Sequence, residues 1–175
     1  FRGFWVFYNY ILNMLRRIIL HWTAGCHTPN QSDLLHYHFV IGADGTWYRG
    51  KHPPEANIVC KKGHYAMHTL KGNTGSIGIG MCGMLGFCRP DLDYRFPLTA
   101  SQVESCFYMS ALLCKQYAIL PVKDCVTTHM HFNRKHKIDT GKIDISFLPP
   151  YPDIGPDEME DFIVDKVKWY FKQKD

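Results

Sequence analysis

Two histidines and an aspartate stand where they could share a metal ion. His21 ends the aliphatic run 18–20, and His129 follows two threonines at 127 and 128. Asp144 lies in a third stretch, residues 141–145. A buried strand delivers its last side chain to an open edge of the sheet, so these residues could meet there. Two imidazoles and a carboxylate predict a catalytic zinc site with one position left for water.

A lysine and a tyrosine accompany these three residues. Lys142 lies two positions before Asp144, on the same side of an extended segment. A lysine there could stabilise the oxyanion that forms when an amide carbonyl is attacked. Tyr37 could donate a hydrogen bond to the same intermediate or carry protons. Because zinc lowers the pKa of its water toward ~7 and polarises carbonyls, the set predicts hydrolysis of an amide.

The elements that must position these side chains are strands alternating with helices. The predicted strands cover residues 18–21, 36–42, 46–50, 76–81 and 124–128, with an Asp44-Gly45 turn between the second and third. One helix begins at Thr99, where Thr99 and Gln102 form a capping box, and another runs from about Pro156 to Lys172. The pattern indicates an α/β fold with a central mixed β-sheet flanked by helices.

The length of 175 residues predicts one main domain with a substantial core. We expect residues 1–16 to be an N-terminal packing segment and residues 17–175 to form a single domain. Residues 4–15 are rich in aromatic and aliphatic side chains but fall short of the ~20 residues that span a bilayer. We therefore expect no stable membrane insertion, with a signal remnant or membrane-surface segment as the alternative.

Charge and cysteine content narrow the class of protein. The composition is 46% hydrophobic and 21% charged, which is typical of a globular domain. The net charge of +4 includes no run of five Lys or Arg residues, so nucleic acid is not an expected partner. The seven cysteines are odd in number and contain no Cys-x-x-Cys, which favours reduced, mostly buried thiols over a zinc–thiolate cluster.

A set of sequence blocks between Arg17 and Pro149 resembles a known family. The blocks are 21–25 (HWTAG), 36–41 (HYHFVI), 44–45 (DG), 66–69 (AMHT), 73–78 (NTGSIG), 98–104 (LTASQVE), 128–129 (TH) and 141–145 (GKIDI). In this order they resemble the zinc-dependent type 2 N-acetylmuramoyl-L-alanine amidases. That group includes phage endolysins and is related in fold to the peptidoglycan recognition proteins.

The resemblance implies a reaction and a role for each site residue. It implies zinc ligands at His21, His129 and Asp144, with Lys142 and Tyr37 as catalytic helpers. The implied reaction cleaves the amide between the lactyl group of N-acetylmuramic acid and the L-alanine of the stem peptide. Peptidoglycan is therefore the expected partner, and Zn²⁺ is the expected cofactor. We expect the protein to be a monomer.

Three further residues are candidate substrate contacts: His68, Asn73 and Thr74. His68 could line the groove for the substrate, although a structural or exposed histidine is an equal alternative. Asn73 and Thr74 could bind the polar glycopeptide, although turn formation explains them equally well.

The chain departs from the family pattern at several positions. His131 stands where relatives commonly carry an acidic residue, and Gly80 stands where some members place a glutamate. The spacing also allows Asp139 as the third ligand, since Lys137 and Asp139 repeat the pattern of Lys142 and Asp144 five residues earlier. Asp144 is preferred because residues 145–149 continue the matching pattern.

These departures leave two other functions open. One is a peptidoglycan-binding module without catalysis, and the other is a zinc hydrolase acting on another amide. The preferred expectation is a phage or prophage lytic enzyme that is made in the bacterial cytosol and acts on the cell wall. A cytosolic amidase that takes part in recycling of the cell wall is the alternative to a lytic enzyme.

Overall fold

The structure is a computed structural model, and it describes residues 15–173. Five strands form one sheet: β1 Arg17–Trp22, β2 Phe39–Ile41, β3 Trp47–Arg49, β4 Ser76–Met81 and β5 Val126–Thr128. Their order is β3-β2-β4-β1-β5, with β3 antiparallel to β2 and the other neighbours parallel. The predicted mixed sheet flanked by helices is confirmed. The predicted N-terminal packing segment lies outside the described residues except for its last two.

Between residues 15 and 173, four α-helices and one 3₁₀ turn flank this sheet. They are α1 Gln31–His36, the 3₁₀ turn Pro54–Ile58, α2 Ala100–Tyr117, α3 His129–His136 and α4 Met159–Lys172. The capping box at the start of α2 is confirmed, because the Thr99 hydroxyl accepts from the Gln102 N–H and the Gln102 side chain accepts from the Thr99 N–H. Each of these side chains satisfies one backbone donor that the first helical turn leaves free.

Two local predictions are wrong. The strand predicted over 36–42 covers only Phe39–Ile41, since α1 continues through His36. Asn30 and Asp33 form a capping box there that stabilises the helix. After β5 the chain forms helix α3, with Thr128 as its N-cap, over residues for which the sequence predicts no element. The second wrong prediction concerns the segment that carries Lys142 and Asp144. Residues 141–143 have no regular structure and are followed by a turn at Asp144, instead of the expected extended segment.

The two faces of the sheet carry different side chains. On β1, Ile18, Leu20 and Trp22 belong to the main hydrophobic core, which also contains the apolar faces of α2 and α4. On β4 the alternate residues Ile77, Ile79 and Met81 do the same. Since neighbouring residues of a strand point to opposite faces, His21 and its β4 neighbour lie on the other face. That second face holds the candidate site.

Helices α2 and α4 contact each other through an ionic cluster as well as through the core. Glu104 of α2 accepts hydrogen bonds from the hydroxyls of Tyr151 and Tyr170. Lys166 of α4 lies 2.6 Å from the same carboxylate. The cluster stabilises the packing of α4 against α2.

The seven cysteines all lie in the described part of the chain and are free. Cys82, Cys106 and Cys114 are buried, whereas Cys26 and Cys88 are exposed. The thiols are therefore unbonded, as the sequence predicts, but fewer are buried than expected. Within residues 15–173, no helix combines the length and apolar character needed to cross a bilayer.

Candidate metal centre

The structure brings the two predicted histidines and Asp144 together on the second face of the sheet. His21 is the fifth residue of β1 and is completely buried. His129 begins α3, directly after the neighbouring strand β5. Asp144 comes from the loop after α3, and its carbonyl accepts a 2.6 Å hydrogen bond from the Met130 N–H. Two adjacent parallel strands and one backbone hydrogen bond thus assemble three residues that are distant in sequence.

The donor atoms of these residues converge on one point. His21 Nδ1 lies 2.8 Å from Asp144 Oδ2, and His129 Nδ1 lies 3.2 Å from the same oxygen. One ligand atom from each residue can be chosen so that all three lie within 4.8 Å of one another. Two imidazole nitrogens and a carboxylate oxygen are donors that suit zinc. The three residues therefore fit a single shared cation.

Burial and hydrogen bonding set the protonation states of His21 and Asp144. Burial lowers the pKa of His21 to about 4, despite the hydrogen bond to Asp144 that acts in the opposite direction. Burial by itself would raise the pKa of Asp144, but hydrogen bonds to His129 and His21 outweigh it and hold that pKa below its usual range. At neutral pH the pair is thus a neutral imidazole and a carboxylate, the protonation states in which both groups bind metal ions.

The other nitrogen of His21 has its own neighbours. His21 Nε2 lies 3.2 Å from His68 Nδ1 and 3.3 Å from Thr69 Oγ1. An Nε2–H finds acceptors there, which leaves Nδ1 free for a cation, an arrangement usual for metal-binding histidines. His68, predicted as a substrate contact, thus also contacts a predicted metal ligand. Thr69 was not singled out from the sequence, although it follows His68 directly in a block shared with the family.

Two glycines of β4 make room for the aromatic rings of the site. The Tyr37 ring packs on Gly80, where an added Cβ would lie 2.7 Å from ring carbon Cδ2. The His68 ring packs on Gly78, where a Cβ would lie 2.4 Å from ring carbon Cγ. Since Gly80 pairs with His21 across the sheet, the Tyr37 ring centroid comes within 5.1 Å of the His21 ring centroid. Gly80 therefore sets the position of Tyr37.

A cavity of about 410 Å³ opens above two of the three converging residues, His129 and Asp144, whereas His21 is completely buried and does not line it. His129, Asp144, Tyr37 and His68 line it, together with Lys142. Lys142 is exposed, which places it at the mouth of the cavity. Burial raises the pKa of the Tyr37 hydroxyl, so Tyr37 remains protonated and can donate a hydrogen bond. The cavity thus combines two of the candidate ligands with an ammonium group and a phenol, and the third candidate, His21, contacts Asp144 from beneath the surface.

Asn73 and Thr74, the other predicted substrate contacts, lie in the turn before β4. The Asn73 side chain accepts a 2.9 Å hydrogen bond from the Thr69 N–H, which holds the loop that carries His68. Thr74 is exposed and lines a separate depression next to Arg17. Neither residue lines the cavity above the histidines. Their role as substrate contacts stays a prediction.

Asp139 and His131 occupy positions away from the converging donors. Asp139 is exposed and lines a depression beside the cavity, whereas Asp144 contacts both histidines. His131 Nδ1 lies 2.8 Å from the hydroxyl of Thr128, the N-cap of α3. His131 thus contributes to the start of the helix that presents His129.

Comparison with known families gives a match over most of the chain. The family profile described as N-acetylmuramoyl-L-alanine amidase matches residues 12–144. No curated protein matches the chain significantly.

Solved structures share the architecture at low sequence identity. A mutant of PlyL is 16% identical with a TM-score of 0.54, and the match covers 87% of this chain and 84% of that one. The Ph2119 endolysin from Thermus scotoductus MAT2119 bacteriophage Ph2119 is 16% identical with a TM-score of 0.50 and the same two coverages. The N-acetylmuramoyl-L-alanine amidase LysC from Clostridium intestinale URNW is 21% identical, covering 69% of this chain and 74% of that one, with a TM-score of 0.47. The first two matches establish the shared fold.

Proposed function

The chain belongs to the N-acetylmuramoyl-L-alanine amidase family, and on this premise we propose that it is a zinc-dependent hydrolase of peptidoglycan. The bond cleaved is the amide that joins N-acetylmuramic acid to the L-alanine of the stem peptide. The observation that carries the proposal is the convergence of His21, His129 and Asp144, of which His129 and Asp144 line an open cavity. A binding surface for peptidoglycan alone has no need of three buried metal-ligand donors around one point.

The three converging residues would hold the zinc ion. When bound, zinc supplies Lewis-acid chemistry by polarising a carbonyl oxygen and making water easier to deprotonate. His21 and Asp144 are already in their metal-binding protonation states at neutral pH. His68 and Thr69 hold the His21 ring through its other nitrogen, which fixes the ring orientation.

Lys142 and Tyr37 act on the charge that develops on the scissile carbonyl. The Lys142 ammonium at the cavity mouth attracts the anionic oxygen of the tetrahedral intermediate. The Tyr37 hydroxyl stays protonated and donates a hydrogen bond within the same cavity. Both groups bind the transition state more strongly than the neutral amide, which is the condition for lowering the barrier.

The alternative is a peptidoglycan-binding module without catalysis, and Gly80 is the observation that favours it. Some family members carry a glutamate at this position, whereas here the Tyr37 ring occupies the space above the glycine. A carboxylate general base from this position of β4 is therefore absent. The zinc-bound protein would in that case bind cell walls without cleaving them.

The test measures zinc content and wall digestion on the same preparations. We expect about one zinc per chain, and release of free L-alanine amino termini from purified cell walls. His21→Ala and Asp144→Ala should lose both zinc and turnover. Asp139→Ala is the matched control, since it removes a nearby exposed carboxylate, and it should keep both.

The possible results distinguish the amidase from the binding module and test the assignment of the third ligand. Zinc bound at one per chain without release of amino termini would favour the binding module. Zinc lost by Asp139→Ala but kept by Asp144→Ala would overturn the ligand assignment. Removal of the metal with a chelator should lower the free energy of unfolding, by about 2.7 kcal/mol when zinc had been present at 100 times its Kd.

We propose the cell wall as the place of action, and production in the bacterial cytosol as for phage lytic enzymes. The support for this setting is the family assignment. Fractionation of producing cells before and after lysis tests the setting. Protein found in the wall fraction of intact cells would contradict release by lysis.

A further inference from the structure

A line of basic side chains continues from the candidate active site to the other end of strand β1. The catalytic cavity shares Gly141, Lys142 and Ile143 with a neighbouring depression of about 440 Å³. That depression shares Lys137 and Ile138 with a third one, of about 310 Å³. We call this connected surface the basic path.

The third depression lies at the start of β1 and thus far from the catalytic end. Arg17, which lines it, is the first residue of β1 and precedes His21 by four residues, or about 13 Å in a strand. A ligand that occupies the whole path must therefore be an extended chain. A single small anion would fill only one of the three depressions.

The third depression carries more positive charge than its surroundings neutralise. Arg16, Lys71 and Lys137 are exposed and line it, and none of them has an ion pair with a carboxylate of residues 15–173. The nearby acid Asp124 is already paired with Lys135. Three unpaired cations in one depression produce a local positive potential that attracts anions.

One cation of this depression is held in place without being neutralised. The Arg17 guanidinium lies 4.9 Å from the centroid of the Phe132 ring, and the His136 ring lies 4.3 Å from the same centroid. Arg17 also donates to two neutral acceptors, the Asp124 carbonyl and the Ser76 hydroxyl. Because its side chain is already ordered, an anion that binds it loses little additional side-chain entropy.

We propose that the basic path binds a linear, phosphodiester-linked polyanion of the cell wall while the cavity holds the peptidoglycan amide. Three features favour this class of ligand: repeated cations, continuity with the catalytic cavity, and the preference of Arg and Lys for phosphate oxygens. The location of the polymer in the wall rests on the proposed function. The binding itself requires no hydrolysis, so it can be tested even if the amidase activity fails.

The experiment measures binding of the full chain to three probes at low and high salt. The probes are cell walls that retain their phosphodiester polymer, the same walls stripped of it by hydrofluoric acid, and duplex DNA. The test variant is Lys71→Asn with Lys137→Asn, because both lysines have positive φ and asparagine tolerates that conformation. The control, Lys168→Gln with Lys172→Gln, removes the same charge from α4, at the half-buried Lys168 and the exposed Lys172.

The wild-type chain should bind retained walls roughly tenfold more tightly than stripped walls at low salt, with the difference lost at high salt. The test variant should lose this difference, whereas the control should keep it. Arg16→Gln, at an exposed position, should lose part of it and shows the effect without a change at a positive-φ residue. Turnover of a small soluble muropeptide should stay unchanged in all variants.

Other results overturn the inference. Equal binding to retained and stripped walls, or equal loss in the control, would exclude a phosphate-specific path. DNA binding as tight as wall binding would indicate a general polyanion surface instead. One further result separates the two proposals. If the protein shows the expected binding pattern but does not turn over muropeptides, the amidase activity is contradicted and the binding role of the basic path is supported.

Discussion

Gly80→Ala tests whether the glycines of β4 set the geometry of the site. In the wild-type chain the Tyr37 ring occupies the space above Gly80, with three ring carbons 2.7 to 3.0 Å from the position of an added Cβ. Ordinary van der Waals contact begins at 3.4 Å and the shortest of these contacts is 2.7 Å, so the ring must withdraw by about 0.7 Å. Since the ring lies beside His21, any withdrawal moves the Tyr37 hydroxyl relative to the converging donors.

The expected cost follows from the packing. Overfilling a well-packed interior by one methyl group destabilises a protein by about 1–3 kcal/mol, and we expect Gly80→Ala to fall in this range. A displacement of about 1 Å in a positioning group can cost up to roughly 100-fold in rate. We therefore expect turnover of a muropeptide to fall by roughly 10- to 100-fold, with zinc still bound.

Urea unfolding and muropeptide turnover are the two measurements. Gly155→Ala is the matched control, because its added Cβ meets only the Glu158 carboxylate at 3.7 Å, and it should change stability by less than about 0.5 kcal/mol. In a Tyr37→Ala background the ring is absent, so Gly80→Ala should cost much less than in the wild type. Equal costs in the two backgrounds, or a Gly80→Ala variant as stable and active as the wild type, would refute the reasoning.

Three further predictions concern the charge of Lys142, the N-cap of α2 and the pH dependence of the free energy of unfolding. Lys142→Ala should keep zinc but lose roughly 10²- to 10³-fold in kcat, with partial recovery by Lys142→Arg; full turnover of the zinc-loaded Ala variant would contradict the oxyanion role. Thr99→Ala removes the N-cap of α2 and should lower the free energy of unfolding by about 1 kcal/mol, and an unchanged urea midpoint would contradict this. Burial alone would raise the pKa of Glu104, but hydrogen bonds from Lys166 and two tyrosines hold it below the ordinary value of 4.5. The stability that this carboxylate adds over Glu104→Gln is thus fully present above pH 4.5 and lost as the pH falls through the lowered pKa; a difference independent of pH would contradict the pairing.

Local sequence signals were sufficient for several elements. The strand predicted over 76–81 matches β4, and the capping box at Thr99 begins α2 where expected. Both signals are local, because strand alternation and helix capping depend on residues a few positions apart. Where local signals conflicted, the prediction failed, as at His36, which α1 includes although the sequence favoured a strand.

The sequence indicates which histidines and which aspartate converge, but not the environment in which they do so. His21, His129 and Asp144 were singled out by residue type, position and family resemblance. Their convergence depends on β1 and β5 being neighbours and on the backbone hydrogen bond between Met130 and Asp144. Strand order and a loop contact of this kind are non-local, so no window of the sequence contains them.

By itself, the sequence determined the residue types that could bind metal, the alternating strands and helices, and the small residues of β4. Only the tertiary structure decided that Gly80 carries the Tyr37 ring, that His68 contacts His21, and that scattered lysines and arginines form one path from the cavity. The physical reason is that these relations arise from packing between segments far apart in the chain. The sequence determines the volume and charge of each side chain, but the fold determines which other side chains it contacts.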